Sequence, residues 1–260
     1  MRARATESNN VPNWYISLHN LVGRDPFFFL LECAGTFAGA ISGVRLASIK
    51  RFDWFGAYVI GLVTALGGGT LRDILLRVEP FWMADPTYVV VSLAAVICIS
   101  LFGRRFIDGQ ITWYIWDTLS ISFFMVIGLQ KSLTNGYPWW CAIFMGVTTA
   151  VFGGVLRDIC INQIPLIFRK ELYALACAAG GIVYLILNMA GVGKRPCACI
   201  CVLSIFAIRA LAIHYHLGVP VLRGRNQFSH HSHKKNNPIT RREALSIQPK
   251  IVDAKSTVND

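Results

Sequence analysis

Long apolar runs alternate with short polar breaks along most of this chain, and the runs are too long and uniform for the core of a water-soluble domain. Roughly 20 apolar residues cross a bilayer as a helix. Seven stretches meet that length, approximately 27–49, 55–76, 87–103, 111–130, 139–161, 171–190 and 197–217. Short loops join them, so no separate soluble domain fits, and only residues 222–260 read as polar throughout. The pattern predicts an all-α integral membrane protein with seven transmembrane helices. Of the 260 residues 54% are hydrophobic and 15% charged, against about 25% charged in an ordinary soluble domain.

Within the second run lies Leu66 to Asp73, Leu-Gly-Gly-Gly-Thr-Leu-Arg-Asp, and in the fifth lies Val151 to Asp158, Val-Phe-Gly-Gly-Val-Leu-Arg-Asp. Sliding the chain by 85 positions superimposes them and much else. Trp54 meets Trp139, Gly61 meets Gly146, Thr64 meets Thr149, Pro80 meets Pro165, Tyr88 meets Tyr173 and Gly43 meets Gly128. From 54 to 81, 12 of 28 positions are identical to their partners. The chain is an internal duplication, and each copy holds three spans. An odd number forces the second copy to enter the membrane from the opposite side, so the fold is two inverted three-helix repeats plus one helix. The expected units are a polar interfacial segment 1–25, the repeats 26–110 and 111–195, a seventh helix 196–221 and a basic tail 222–260.

Inverted repeats place their path at the repeat interface, lined by glycine-interrupted helices in corresponding positions. Gly67, Gly68, Gly69, Gly153 and Gly154 fit that description, because glycine costs a helix about 1 kcal/mol relative to alanine. They are therefore predicted helix breaks. Charges at membrane depth take partners, and helix rise puts each acid of the first helix in a repeat level with the arginine of the second. Glu32 is predicted to pair with Arg72, and Asp117 with Arg157. Asp73 and Asp158 follow their arginines directly, and neighbours on a helix point about 100° apart, so no side-by-side pair is expected there.

The net charge of +11 does not indicate nucleic acid. Basic residues cluster at the ends of the apolar runs and in the tail, which carries eight Lys and Arg against three acids. Such a tail is expected to be solvated and disordered on the cytoplasmic side, near anionic lipid headgroups, and with Arg45, Lys50, Arg51, Arg104, Arg105, Arg169 and Lys170 it places the N-terminus outside. Trp14, Trp54, Tyr88, Trp139 and Tyr173 read as interfacial aromatics. Gly35, Gly39 and Gly43 form a small-residue stripe for close helix packing. The eight cysteines lie in apolar runs without a ligand or disulfide spacing, and no histidine has an evident acid–base partner. Neither a metal, a cofactor nor an enzymatic activity is expected.

The doubled Gly-Gly-x-Leu-Arg-Asp motif, the three-plus-three-plus-one helix count and the basic tail resemble the prokaryotic branch of the trimeric intracellular cation (TRIC) channels, a family also labelled glycine transporter domain or UPF0126. The resemblance covers about residues 26–217. It implies a homotrimer in the cell membrane with a pore in each protomer, passing K+ and Na+, and kinked second and fifth helices. Phe152 stands where the first copy has Gly67, a departure that would stiffen or plug the inner break. Inverted repeats with broken helices equally suit a carrier for glycine or another small zwitterion. The sequence leaves both open.

Overall fold

The computed structural model describes residues 25–107, 110–168 and 172–215. The expected interfacial segment, apart from Asp25, and the basic tail lie outside the described residues, as do Arg169 and Lys170. Among the described residues seven long helices form: α1 (Pro26–Ile49), α2 (Trp54–Leu75), α3 (Thr87–Ile107), α4 (Gln110–Thr134), α5 (Trp139–Cys160), α6 (Tyr173–Met189) and α7 (Lys194–His214). A one-turn helix, Phe81–Ala84, follows α2, and a 3-10 turn, Leu166–Phe168, follows α5. The described residues contain no strand.

Local chemistry explains where the helices start. Asp25 precedes Pro26, which needs no N–H partner in a first turn, and its carboxylate accepts the Phe27 N–H at 3.1 Å. Asp53 does the same for α2, accepting from Gly56 N–H at 2.7 Å. Four helices, α1, α2, α5 and α7, are long and apolar enough to cross a membrane. Large apolar side chains cover the outside, including Leu30, Phe55, Val90, Leu101, Phe144 and Leu203, all exposed. An outward apolar coat of that extent matches lipid and not water. This is a multi-pass membrane protein.

The duplication extends below the level of residue identity. Arg51 and Gly136, 85 positions apart, both have positive φ (60° and 81°), as do Arg77 and Asn162 (56° and 55°). The turn hydrogen bonds repeat as well: Val78 N–H to Asp73 O at 3.0 Å and Gln163 N–H to Asp158 O at 2.8 Å. Two apolar cores result, one mainly within the first repeat but including Ile161 of the second, and one joining the second repeat to α7.

At the centre α2 packs on α5. A side chain on Gly68 would collide with the backbone carbonyl of Thr149, and one on Gly153 with the carbonyl of Thr64. Moving up α2 from Thr64 to Gly68 thus moves down α5 from Gly153 to Thr149, so the two helices run antiparallel. The contact is reciprocal, which requires a two-fold axis across both helices, as an inverted repeat demands. Gly39 and Gly43 likewise face Ala65 and Gly61 backbone at 3.3 and 2.9 Å from an ideal Cβ, so the α1 stripe is a packing surface.

These contacts correct one expectation. Both α2 and α5 are continuous through Gly67, Gly68, Gly69, Gly153 and Gly154. The glycines are not breaks: their weak helix propensity is outweighed by the close approach they permit between the two central helices.

Candidate functional site

Toward the C-terminal end of α2, Arg72 is fully buried. Its Nε donates to Asp73 Oδ1 at 2.7 Å and its Nη2 to Asp73 Oδ2 at 3.1 Å. The same Nη2 reaches Glu32 Oε1 of α1 at 3.4 Å. Tyr88 Oη, from α3, donates to the other Glu32 oxygen at 2.8 Å. Asp73 also accepts the Phe81 N–H at 2.9 Å and takes Lys131 Nζ of α4 at 2.8 Å. Phe81 lies beneath the guanidinium, with its ring centroid 5.5 Å from Arg72 Cζ. Two cations and two carboxylates meet here, with no net charge.

The equivalent place on α5 repeats the core of this arrangement. Arg157 Nε donates to Asp158 Oδ1 at 2.9 Å, Nη1 to Asp117 Oδ1 at 2.8 Å, and Asp158 Oδ2 accepts the Leu166 N–H at 3.1 Å. Two contacts are new. Ser42 of α1 accepts from Arg157 Nη1 at 2.7 Å, and Arg209 of α7 donates to Asp117 Oδ2 at 2.9 Å. Arg209 lies over the ring of Tyr173, Cζ to centroid 4.6 Å. This cluster too sums to zero.

The arginines therefore sit against the acids of their own repeats, Arg72 by Glu32 and Arg157 by Asp117. The side-by-side contacts, Arg72 with Asp73 and Arg157 with Asp158, contradict the expectation from helix geometry. Each aspartate is held by a backbone N–H eight residues on, which turns it along the helix end, and arginine is long enough to fold back onto it. Tyr88 and Tyr173 are buried, 0% and 2% exposed, and are not interfacial aromatics. Their hydroxyls face charge inside the protein, whereas Trp54 and Trp139 are exposed.

A cavity of about 460 Å³ opens beside the first cluster, lined by Asp25, Glu32, Glu79, Gln130, Lys131 and Lys194 among others. The Phe27 N–H and the neighbouring Arg195, 3.0 Å away, hold the Asp25 carboxyl below its usual value. Three acids and two lysines line the cavity, and Arg195, paired with Asp25, adds a third cation beside them. A separate, almost wholly apolar groove of about 490 Å³ contains Gly67, Phe152 and Leu156. Phe152 thus lines an apolar groove and plugs no helix break.

A family model described as glycine transporter matches this chain twice, over residues 29–104 and 114–189, the second match displaced by the same 85 positions. A UPF0126 membrane protein of Vibrio cholerae is 36% identical over 196 residues, covering 74% of this chain and 81% of its own. The chain belongs to the UPF0126 family. The UPF0126 inner membrane protein YadS of Escherichia coli is 37% identical over 197 residues, 74% of this chain and 94% of its own. Among solved structures, the TRIC trimeric intracellular cation channel orthologue from Rhodobacter sphaeroides matches with TM-score 0.69 and 31% identity, over 74% of this chain and 100% of that one.

Sequence reasoning missed Lys131, Arg209, Ser42 and the inward role of the two tyrosines in this UPF0126 protein. For Arg209 the signal was present: an arginine about 15 residues into an apolar helix is a functional candidate by depth alone. Lys131 and Ser42 have no such signal, since Leu46 and Ile127 stand at the equivalent positions.

Proposed function

We propose that this protein is a monovalent cation channel, passing K+ and Na+, that works as a homotrimer with one path in each protomer along α2 and α5. The observation that carries the proposal is a paired one. Two neutral charge clusters lie buried at opposite ends of the α2–α5 crossing, in a chain whose solved relative is a TRIC cation channel. Glu32, Arg72 and Asp73 shape one mouth, and Asp117, Arg157 and Asp158 the other. A cavity in front of the first mouth offers a cation the carboxylates of Glu32 and Glu79 at its approach. Gly68 and Gly153 hold α2 and α5 in backbone contact at the crossing, and opening is a tilt of the two helices about that contact that spreads their ends. In the membrane the N-terminus lies outside and the basic tail lies on the cytoplasmic side, next to anionic lipid.

A second proposal, carriage of glycine or another small zwitterion, draws on the description of the matching family model and on a cavity roomy enough for more than a bare ion. Planar-bilayer recording of the purified protein in asymmetric KCl separates the two. Unitary currents reversing toward the K+ equilibrium potential are expected. Saturable glycine uptake into proteoliposomes without unitary currents would overturn the channel in favour of the carrier. Gly68→Leu is a poor probe of the path, because its side chain meets backbone of α5 and tests folding instead.

A further inference from the structure

One of the differences between the two clusters lies at a carboxylate oxygen. In the first, Glu32 Oε2 accepts from Tyr88 at 2.8 Å. In the second, the corresponding oxygen of Asp117 accepts from Arg209 at 2.9 Å. Tyr173, which occupies the place of Tyr88 in the duplication, is 2% exposed and its hydroxyl makes no hydrogen bond among the described residues. A buried hydroxyl left unpaired is costly, and here the oxygen equivalent to the one Tyr88 bonds is bonded by Arg209. Arg209 comes from α7, outside the duplication, and its guanidinium covers the ring of the same tyrosine.

We propose that Arg209 is a removable latch on the second mouth, holding the oxygen of Asp117 that internal symmetry assigns to Tyr173, and that its withdrawal hands Asp117 to Tyr173. With Arg209 in place the cluster has two cations and two acids. Once it leaves, the mouth loses one positive charge and keeps Asp117 and Asp158, a change of the sign that draws a cation. The tyrosine hydroxyl then supplies the hydrogen bond that makes this second state stable. The latched state and the unlatched state are thus two discrete arrangements of one carboxylate, and α7 decides between them. The word mouth rests on the channel proposal, but the exchange of partners does not.

The test uses the full chain carrying Ser42→Cys, with and without Arg209→Gln, in proteoliposomes. Modification of the introduced thiol by a charged, membrane-impermeant methanethiosulfonate is followed by peptide mass spectrometry, and K+ currents are recorded in parallel. Arg209→Gln is expected to speed labelling about tenfold, the kind of change that a shifted local-opening equilibrium gives, and to raise open probability. Unchanged labelling overturns the latch. Faster labelling without any K+ current sustains the latch and removes the channel proposal. Adding Tyr173→Phe to Arg209→Gln is expected to shorten the openings, and unchanged openings overturn the hand-over to Tyr173. Should Arg209→Gln not assemble, Arg209→Lys keeps the charge without a planar group to lie over the ring. It is expected to label several-fold faster than the arginine form, and an equal rate overturns the latch.

Discussion

The first cluster is wet and the second is dry. Lys131 and Glu32 side chains are 29% and 13% exposed, while their functional counterparts Arg209 and Asp117 are 3% and 4% exposed. Both clusters use the same arginine, the same adjacent aspartate anchored by a backbone N–H, and the same acid from the first helix of the repeat. Both are neutral. The duplicated residues therefore set the charge pairing, and the residues that are not duplicated set access to it. A lysine at the rim of an open cavity completes one cluster, and an arginine from the seventh helix closes the other. Inverted symmetry builds two equivalent sites, and the seventh helix together with unmatched residues within the repeats, Lys131 and Ser42, makes them inequivalent.

The largest effect that would sharpen this contrast comes from Asp117→Asn. It strips the acid shared by Arg157 and Arg209, leaving buried positive charge, and is expected to cost about 3–5 kcal/mol, read as a lower unfolding temperature in detergent. Glu32→Gln removes the matching acid where water reaches it and Asp73 still holds Arg72, so about 1–2 kcal/mol is expected in the same assay. Equal losses for the two would show that the clusters do not differ in solvation. Next come the tyrosines. Tyr88→Phe is expected to cost about 1 kcal/mol, whereas Tyr173→Phe, whose hydroxyl is unpaired, should stay within about 0.5 kcal/mol. A Tyr173→Phe loss matching that of Tyr88→Phe would break the asymmetry argued from their hydroxyls. The smallest change is Lys131→Met, about 0.5 kcal/mol for a partly exposed ion pair. Its unitary K+ conductance should rise, since the cavity becomes more negative, and a fall would remove the cavity from the path.

Hydropathy and the 85-residue offset made most of the fold legible. The helices begin and end within a few residues of the apolar runs because proline, aspartate and loop residues mark the ends, as at Asp25-Pro26 and Asp53. The pairs Arg72 with Glu32 and Arg157 with Asp117 were legible because depth along a helix follows from residue number. What failed was anything decided by contact between helices. Glycine propensity pointed to breaks at Gly68 and Gly153, but the strongest demand on those positions is the facing carbonyl of Thr149 or Thr64, which lies far away in sequence. The Arg72–Asp73 contact depends on the Phe81 N–H that aims the aspartate, again invisible to helix periodicity. Arg209 and Lys131 lie outside the identities that the duplication displays, so comparing the copies could not reveal them.

The Gly68 and Gly153 contacts act as a fulcrum. They lie near the middle of their helices, with each arginine about 6 Å beyond its glycine, at ~1.5 Å per residue. Rods pinned near the middle tilt like scissors: spreading one pair of ends spreads the other, provided the pivot stays in contact. A tilt about this pivot would load both ends together, including the end where Arg157 of α5 meets Asp117, the acid that Arg209 also holds. Two missing side chains thus bring the central helices close enough to bear directly on one another.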